Sequence, residues 1–188
     1  MDRHRRIACN GQSAVSADRR LDTFVRSPTR CGLRRGTVTM NTRLLMELRV
    51  EVGGAQEIGA VLGGTRRTVP LAGGTFDGRL RGVVLPGGSA DWLLVRADGV
   101  LELDFRATLR TDDGALIAMR SFGLRHGPAN VMAALGRGEH VDPDRYYFRT
   151  TARFETAHPA YASLNRVVAV ASGDRRAAGP IYSIYEVL

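Results

Sequence analysis

The residues best equipped for chemistry recur at every second position. In Val100–Thr111 (V-L-E-L-D-F-R-A-T-L-R-T), Glu102, Asp104, Arg106, Thr108 and Arg110 alternate with Leu101, Leu103, Phe105, Ala107 and Leu109. A period of two puts the two sets on opposite faces of a β-strand. Tyr147, Arg149, Thr151 and Arg153 share one face of Tyr146–Thr156, and Glu155 continues it. Asp91 and Trp92 open the segment before the first stretch, and Asn165 stands after the second. Two readings follow. If the polar faces line a barrel interior, a carboxylate kept from water has a raised pKa and suits a general acid or base. A neighbouring arginine would bind a carboxylate or enolate oxygen, Tyr147 would donate a proton or hydrogen bond, and Trp92 would form an apolar wall. If the faces are wet, the same residues are cross-strand ion pairs worth little individually. Glu102 and Arg110 fit the second reading.

No standard catalytic signature competes with this set. The chain has no G-x-S-x-G, P-loop, H-E-x-x-H or G-x-G-x-x-G leading into a helix. His126, His140 and His158 are scattered, without an i,i+4 pair or a nearby cysteine, so no metal site is expected. No cofactor is expected either.

The elements that must position these residues are strands. Asp98-Gly99 and Asp113-Gly114 bracket Val100–Thr111, and Asp-Gly is a favoured pair for two-residue hairpin turns with positive φ at both central positions. An antiparallel meander of Asp91–Ala97, Val100–Thr111 and Ala115–Phe122 is therefore expected. Leu44–Val52 predicts a first strand with Met46, Leu48, Val50 and Val52 on one face. Arg66–Leu71 and Leu80–Leu85 predict two more strands, separated by Gly73-Gly74, with Pro70 at an edge or strand end. Ala55–Leu62 stays open between strand and loop. Gly127-Pro128 starts one helix with Val131, Met132 and Leu135 on a common face, ended by Gly136 or Gly138. Tyr146–Thr156, Leu164–Ala171 and Ile181–Val187 complete about eight strands. Short strands with glycine-rich turns predict an all-β fold with one short helix, an antiparallel barrel or sandwich; closure would remove exposed edges.

Charge and composition divide the chain. It has 188 residues, 44% of them hydrophobic, and a net charge of +8. Residues 1–39 hold nine arginines against three aspartates, a net +6, which leaves residues 40–188 nearly balanced at +2. All 27 basic residues are arginine, the mark of a GC-rich genome. Residues 1–39 lack helical or strand periodicity and the apolar run of a secretory signal. They are expected to be a disordered Arg-rich leader, or a start assigned too early. Cys9 and Cys31 both lie in this segment, so residues 40–188 have no disulfide or thiolate, consistent with the cytoplasm. No apolar run reaches the roughly 20 residues of a membrane span. Nucleic-acid binding would rest on the leader alone.

Several segments in fixed order resemble a known family. They are G-G-T-F-D-G (Gly73–Gly78), L-P-G-G-S-A-D-W (Leu85–Trp92), R-A-D-G-V-L-E-L-D-F-R (Arg96–Arg106) and R-T-D-D-G-A-L-I (Arg110–Ile117). They continue with D-P-D-R-Y-Y-F-R-T (Asp142–Thr150), F-E-T (Phe154–Thr156) and Y-A-S-L-N-R (Tyr161–Arg166). Residues 40–188 resemble the uncharacterised domain-of-unknown-function family 3237, also called uncharacterised protein family 0311. The resemblance implies a single β-barrel domain of the calycin or allene-oxide-cyclase-like sort, but no activity. Ser89 stands as an extra residue before Asp91, and Ala107 replaces a tyrosine the family pattern carries. The family motifs fall on Asp104, Arg106, Tyr147, Arg149 and Glu155, the candidate catalytic residues, and on Asn165, which joins Asp91 and Trp92 as candidate substrate-binding residues. The expected function is cofactor-free acid/base chemistry (isomerisation, cyclisation or elimination) on a small, partly apolar, carbonyl- or polyketide-like molecule. The alternative is a non-catalytic carrier or sensor for such a ligand. A homodimer would suit a small barrel.

Overall fold

A computed structural model describes residues 39–188; the arginine-rich leader lies outside the described residues. Ten strands form one antiparallel sheet: β1 (Thr42–Val52), β2 (Gln56–Val61), β3 (Gly64–Gly78), β4 (Gly82–Val84), β5 (Ala90–Arg96), β6 (Leu101–Thr111), β7 (Leu116–His126), β8 (Tyr147–Glu155), β9 (Ala169–Arg175) and β10 (Pro180–Val187). The order is β1-β10-β9-β8-β7-β6-β4-β3, and β1 pairs with β3 to close the ring. β4 and β5 share the place between β6 and β3, and β2 extends the β1 position along the first half of β3. The result is an eight-position barrel, as the strand count predicts. The end holding the Asp98-Gly99 turn is here called the upper end.

The alternation seen in the sequence decides which face is inside. On β6, Leu103, Phe105, Ala107 and Leu109 are buried, while Arg106 and Arg110 are exposed and Glu102, Asp104 and Thr108 are half-buried. On β8, Phe148, Thr150, Ala152 and Phe154 are buried, and every residue between them is exposed. The apolar faces therefore line the interior. Its lower half is solid: Met46, Leu48, Phe76, Val84, Leu109, Ile117, Phe154 and Ile184 are all buried in one cluster. A fully buried side chain of this kind contributes about 1.5–3 kcal/mol.

Three expectations about elements need correction. The two Asp-Gly hairpins have three-residue loops, Ala97–Gly99 and Asp112–Gly114, closed by hydrogen bonds from Gly99 N to Arg96 O and from Gly114 N to Thr111 O. The glycine takes the left-handed position at the end of each loop, with φ of 81° and 87°. Second, Gly73-Gly74 does not end a strand. β3 runs through it, because a barrel strand must coil and approach its neighbour closely there. A Cβ on Gly74, whose φ is 143°, would stand 2.2 Å from the Arg49 carbonyl oxygen. Third, the connection between β8 and β9 holds a 3-10 segment, Pro159–Arg166, and β9 begins only at Ala169. Ala55–Leu62 resolves as strand β2. The one α-helix, α1 (Ala129–Gly136), follows Pro128 as expected and buries Val131 and Leu135. It links the upper ends of β7 and β8. No described helix is long and apolar enough to cross a membrane.

Candidate functional site

Several charged side chains follow the inward phase of their strands in the upper half of the barrel. Asp91 shares the phase of Leu93 on β5, Arg125 that of Ile117 and Met119 on β7, Arg175 that of Ala169 and Ala171 on β9, and Arg67 that of Val69 and Leu71 on β3. These four charged residues line a cavity of about 200 Å³ together with Leu103, Phe105, Phe148 and Tyr182. Larger hollows lie on the outer wall, such as one of about 640 Å³ edged by Arg49, Arg149, Asp174 and Arg176. They are open grooves between surface charges, whereas the upper cavity combines buried charge with apolar walls. The latter is what a site for a small molecule requires.

Asp91 holds its place by interrupting the ladder. β5 and β6 pair at Ala90↔Arg106 and Asp91↔Phe105 and again at Leu94↔Glu102, leaving the register open between. There Oδ1 of Asp91 accepts a hydrogen bond of 3.1 Å from the Asp104 backbone N–H. The side chain stands in for the missing carbonyl. Only 9% of Asp91 is exposed. Burial pushes its carboxyl from 3.8 up to about 7; the Arg125 charge and the Asp104 N–H pull it down, and the Asp104 carboxylate pushes it further up. An acid that titrates near neutrality in a cavity can accept and return a proton.

The cations around it are poorly matched with acids. Arg125 as a whole is half-buried, yet its Nε is shut off from solvent and has no hydrogen-bond partner among the described residues. Its guanidinium lies 5.4 Å from the Phe148 ring centre, and burial lowers its pKa. The Arg175 pKa is also lowered by burial, and its backbone N–H donates to the Tyr146 hydroxyl at 2.8 Å. Arg67 sits nearer the mouth, its Nε 3.5 Å from Glu57 Oε1. Tyr182 is fully enclosed, and burial first, then the Asp91 charge, pushes its hydroxyl pKa upward, so it keeps its proton and acts as a hydrogen-bond donor at any ordinary pH. Its ring meets Phe105 at 5.9 Å and Phe148 at 5.4 Å, forming an aromatic wall. Gly173 makes room for that wall, because a Cβ there would lie 2.5 Å from the Phe148 ring.

The expected catalytic set does not meet in this cavity. Asp104, Arg106, Tyr147, Arg149 and Glu155 all point outward, because their strands turn the apolar phase inward. Asp104 accepts from Arg106 at 2.9 Å and lies 3.7 Å from Arg120. Tyr147 stacks on His126 at 4.9 Å, and Arg149 donates to the Phe148 carbonyl at 2.9 Å. Glu155 edges a shallow outer groove with Arg120 and Arg153. Of the expected binding residues, Asp91 alone lines the cavity. Trp92 faces outward beneath the Arg106 guanidinium, 5.2 Å away. Asn165 is a brace: Oδ1 accepts from Thr156 N–H and Nδ2 donates to Thr156 O, each at 2.8 Å. Sequence reasoning missed Arg67, Arg125, Arg175 and Tyr182. A signal existed, since each breaks the apolar phase of its own strand near the same end. No group of three or more His, Cys, Asp or Glu suited to a metal occurs among the described residues.

Fold and cavity together define a closed antiparallel β-barrel with a charged chamber at one end. The chain belongs to the family described as "Protein of unknown function (DUF3237)", which matches residues 40–187. A UPF0311 protein of Rhodopseudomonas palustris is 37% identical over 153 residues, covering 81% of this chain and 99% of the relative. The crystal structure of a conserved protein of unknown function from the same species superposes with a TM-score of 0.77 at 36% identity, over 81% of this chain and all of the other. A β-barrel like protein from Acinetobacter baumannii AYE gives 0.72 at 38% identity, over 82% of this chain and 100% of that one. An enzyme from Penicillium herquei shares the fold at a TM-score of 0.62 and 18% identity, over 83% of this chain and all of the other.

Proposed function

We propose that the upper cavity binds a small, partly apolar carbonyl compound and carries out proton transfer on it without a cofactor, as in an isomerase, cyclase or lyase. One observation carries this reading: an acid titrating near pH 7 shares a cavity with a guanidinium that has no acidic partner among the described residues. In such a step ionised Asp91 takes a proton from the carbon beside the carbonyl. The negative charge that develops on oxygen is held by the Tyr182 hydroxyl, in a cavity that Arg67, Arg125 and Arg175 keep positive. Asp91 then returns the proton to a different atom. The Phe105, Phe148 and Tyr182 rings orient the apolar part of the molecule. That a barrel of this fold is described as an enzyme in Penicillium herquei agrees with the reading but lends it no particular reaction.

The test follows hydrogen exchange in acetophenone, whose methyl protons are lost from the proton NMR spectrum in D₂O when an enol forms. The protein accelerates the loss, the rate rises with pH through about 7 as Asp91 ionises, and Asp91→Asn abolishes the effect. Asp104→Asn and Glu155→Gln, on the outer face, leave it intact. Acceleration that survives Asp91→Asn overturns the assignment. Binding of acetophenone without exchange identifies a carrier barrel.

A further inference from the structure

Taking the upper cavity as the ligand site, as the proposed function does, we infer that its ligand is a monocyclic carboxylate: one ring seated against the aromatic wall, with the acid group on Arg125. Size, wall and charge each support this independently.

The cavity holds about 200 Å³. An apolar cavity of roughly 150 Å³ accommodates benzene, and sites for drug-sized molecules start at roughly 300 Å³. One ring with a short substituent fits; a fused polycycle does not. The wall is aromatic on two sides, with Phe148 edge-on to Tyr182 at 74° and Phe105 tilted against it at 57°. Rings seated this way present both edges and faces to a third ring.

Charge defines the other end of the ligand. Arg125 makes no ion pair among the described residues, and its Nε has neither water access nor a partner. A guanidinium keeps its proton under all ordinary conditions, so the fold bears a cation without an ion-pair partner among the described residues whose Nε is shut off from solvent, which is costly. A carboxylate meets the planar guanidinium through two parallel hydrogen bonds, a geometry an alcohol or a ketone cannot supply. Arg67 and Arg175 line the same cavity and keep the mouth positive. Asp91, whose carboxyl titrates at about 7, neutralises this excess only in part at neutral pH.

Asp91 also makes the binding sensitive to pH. The groups around it are Arg125 from β7, Tyr182 from β10, Arg175 from β9, Arg67 from β3 and the Asp104 N–H and carboxylate from β6. A second anion beside Asp91 favours its protonated form. Affinity for a carboxylate therefore falls as pH rises past 7, and Asp91→Asn removes that fall.

Calorimetric titration of the full chain with benzoate, acetophenone and pyrene-1-carboxylate tests the inference. Benzoate is expected to bind, acetophenone more weakly, and the pyrene acid not at all. Arg125→Met weakens benzoate roughly thirtyfold or more, the scale of losing one partner of a buried charge pair. Below pH 7, where Asp91 is mostly protonated, the same variant should fold and melt higher than the parent, because a desolvated cation without an ion-pair partner is gone. Arg125→Lys, which keeps the charge but not the fork, binds benzoate at an intermediate level. Undiminished benzoate affinity in Arg125→Met, or tight binding of the pyrene acid, overturns the inference. The two readings fail separately. Benzoate binding through Arg125 without acetophenone exchange removes the proposed chemistry alone. Exchange dependent on Asp91, with no benzoate binding or competition, removes the carboxylate ligand alone.

Discussion

Asp91 gives the clearest prediction at the scale of single residues. Its carboxyl is raised by burial from 3.8 to about 7, so the native state keeps a proton that the unfolded chain has lost. The stabilisation this provides is complete below about pH 4, declines as pH rises from there to 7, and is absent above. Over that interval the parent loses roughly 4 kcal/mol relative to Asp91→Asn. The asparagine variant keeps the Oδ1 acceptor for Asp104 N–H and is the more stable protein at pH 8, even though it lacks the proposed base. Urea denaturation of both proteins between pH 4.5 and 8 measures this, and parallel curves would sink it. Asp104→Asn should change stability by less than about 0.5 kcal/mol, since it removes exposed pairs. These two aspartates illustrate how much of the site was legible. Both sit in recognisable motifs, but residue type and motif say nothing of depth. The alternation does: Asp104 follows the wet phase of β6, whereas Asp91 follows Leu93 into the apolar phase. Arg125 and Arg175 were hidden in the same way, as single cations at the ends of apolar series.

At the scale of elements, the junction between β4 and β5 has a splice that accounts for Ser89. This residue is buried, and its hydroxyl accepts from Thr108 N–H at 3.2 Å while donating to the Leu85 carbonyl. Its own carbonyl accepts from Leu71 N–H. The Thr108 carbonyl accepts from Leu85 N–H, but its own N–H meets no backbone carbonyl across this gap, and Ser89 supplies the absent acceptor. Ser89→Ala leaves that N–H unsatisfied and is expected to cost about 1–3 kcal/mol, measured by chemical denaturation. Gly173→Ala tests the aromatic wall. Its Cβ would displace the Phe148 ring toward the cavity, costing about 1–3 kcal/mol of stability and lowering the affinity for benzoate; unchanged affinity would show that the ring does not shape the site. The elements that sequence periodicity recovered best are the regularly alternating ones, β1, β6 and β8. It failed at β3, because a glycine pair reads as a break in a flat sheet and as a close crossing in a coiled one. That distinction depends on the neighbouring strand, which no local pattern contains.

For the whole molecule, the closed ring depends on the first and last strands meeting. β1 and β10 pair from Thr42↔Val187 to Arg49↔Ile181. Near the lower end Glu186, with its side chain only 8% exposed, accepts from Arg43 at 2.6 Å and also from Arg79. Glu186→Gln weakens both contacts and is expected to lower stability by about 1–3 kcal/mol. The same closure orders events in time. Arg43 and Glu186 are 143 residues apart, so as the chain leaves the ribosome, the edge of β1 stays open until β10 has appeared. Refolding should accordingly run on the order of milliseconds to seconds, as for other sheets built on distant pairings. If the seam forms after the rate-limiting step, Glu186→Gln accelerates unfolding and leaves the refolding rate unchanged. During that interval the nascent barrel carries two unpaired edges, on β1 and β9, the kind of surface on which a second nascent chain can dock by exchange of its β10.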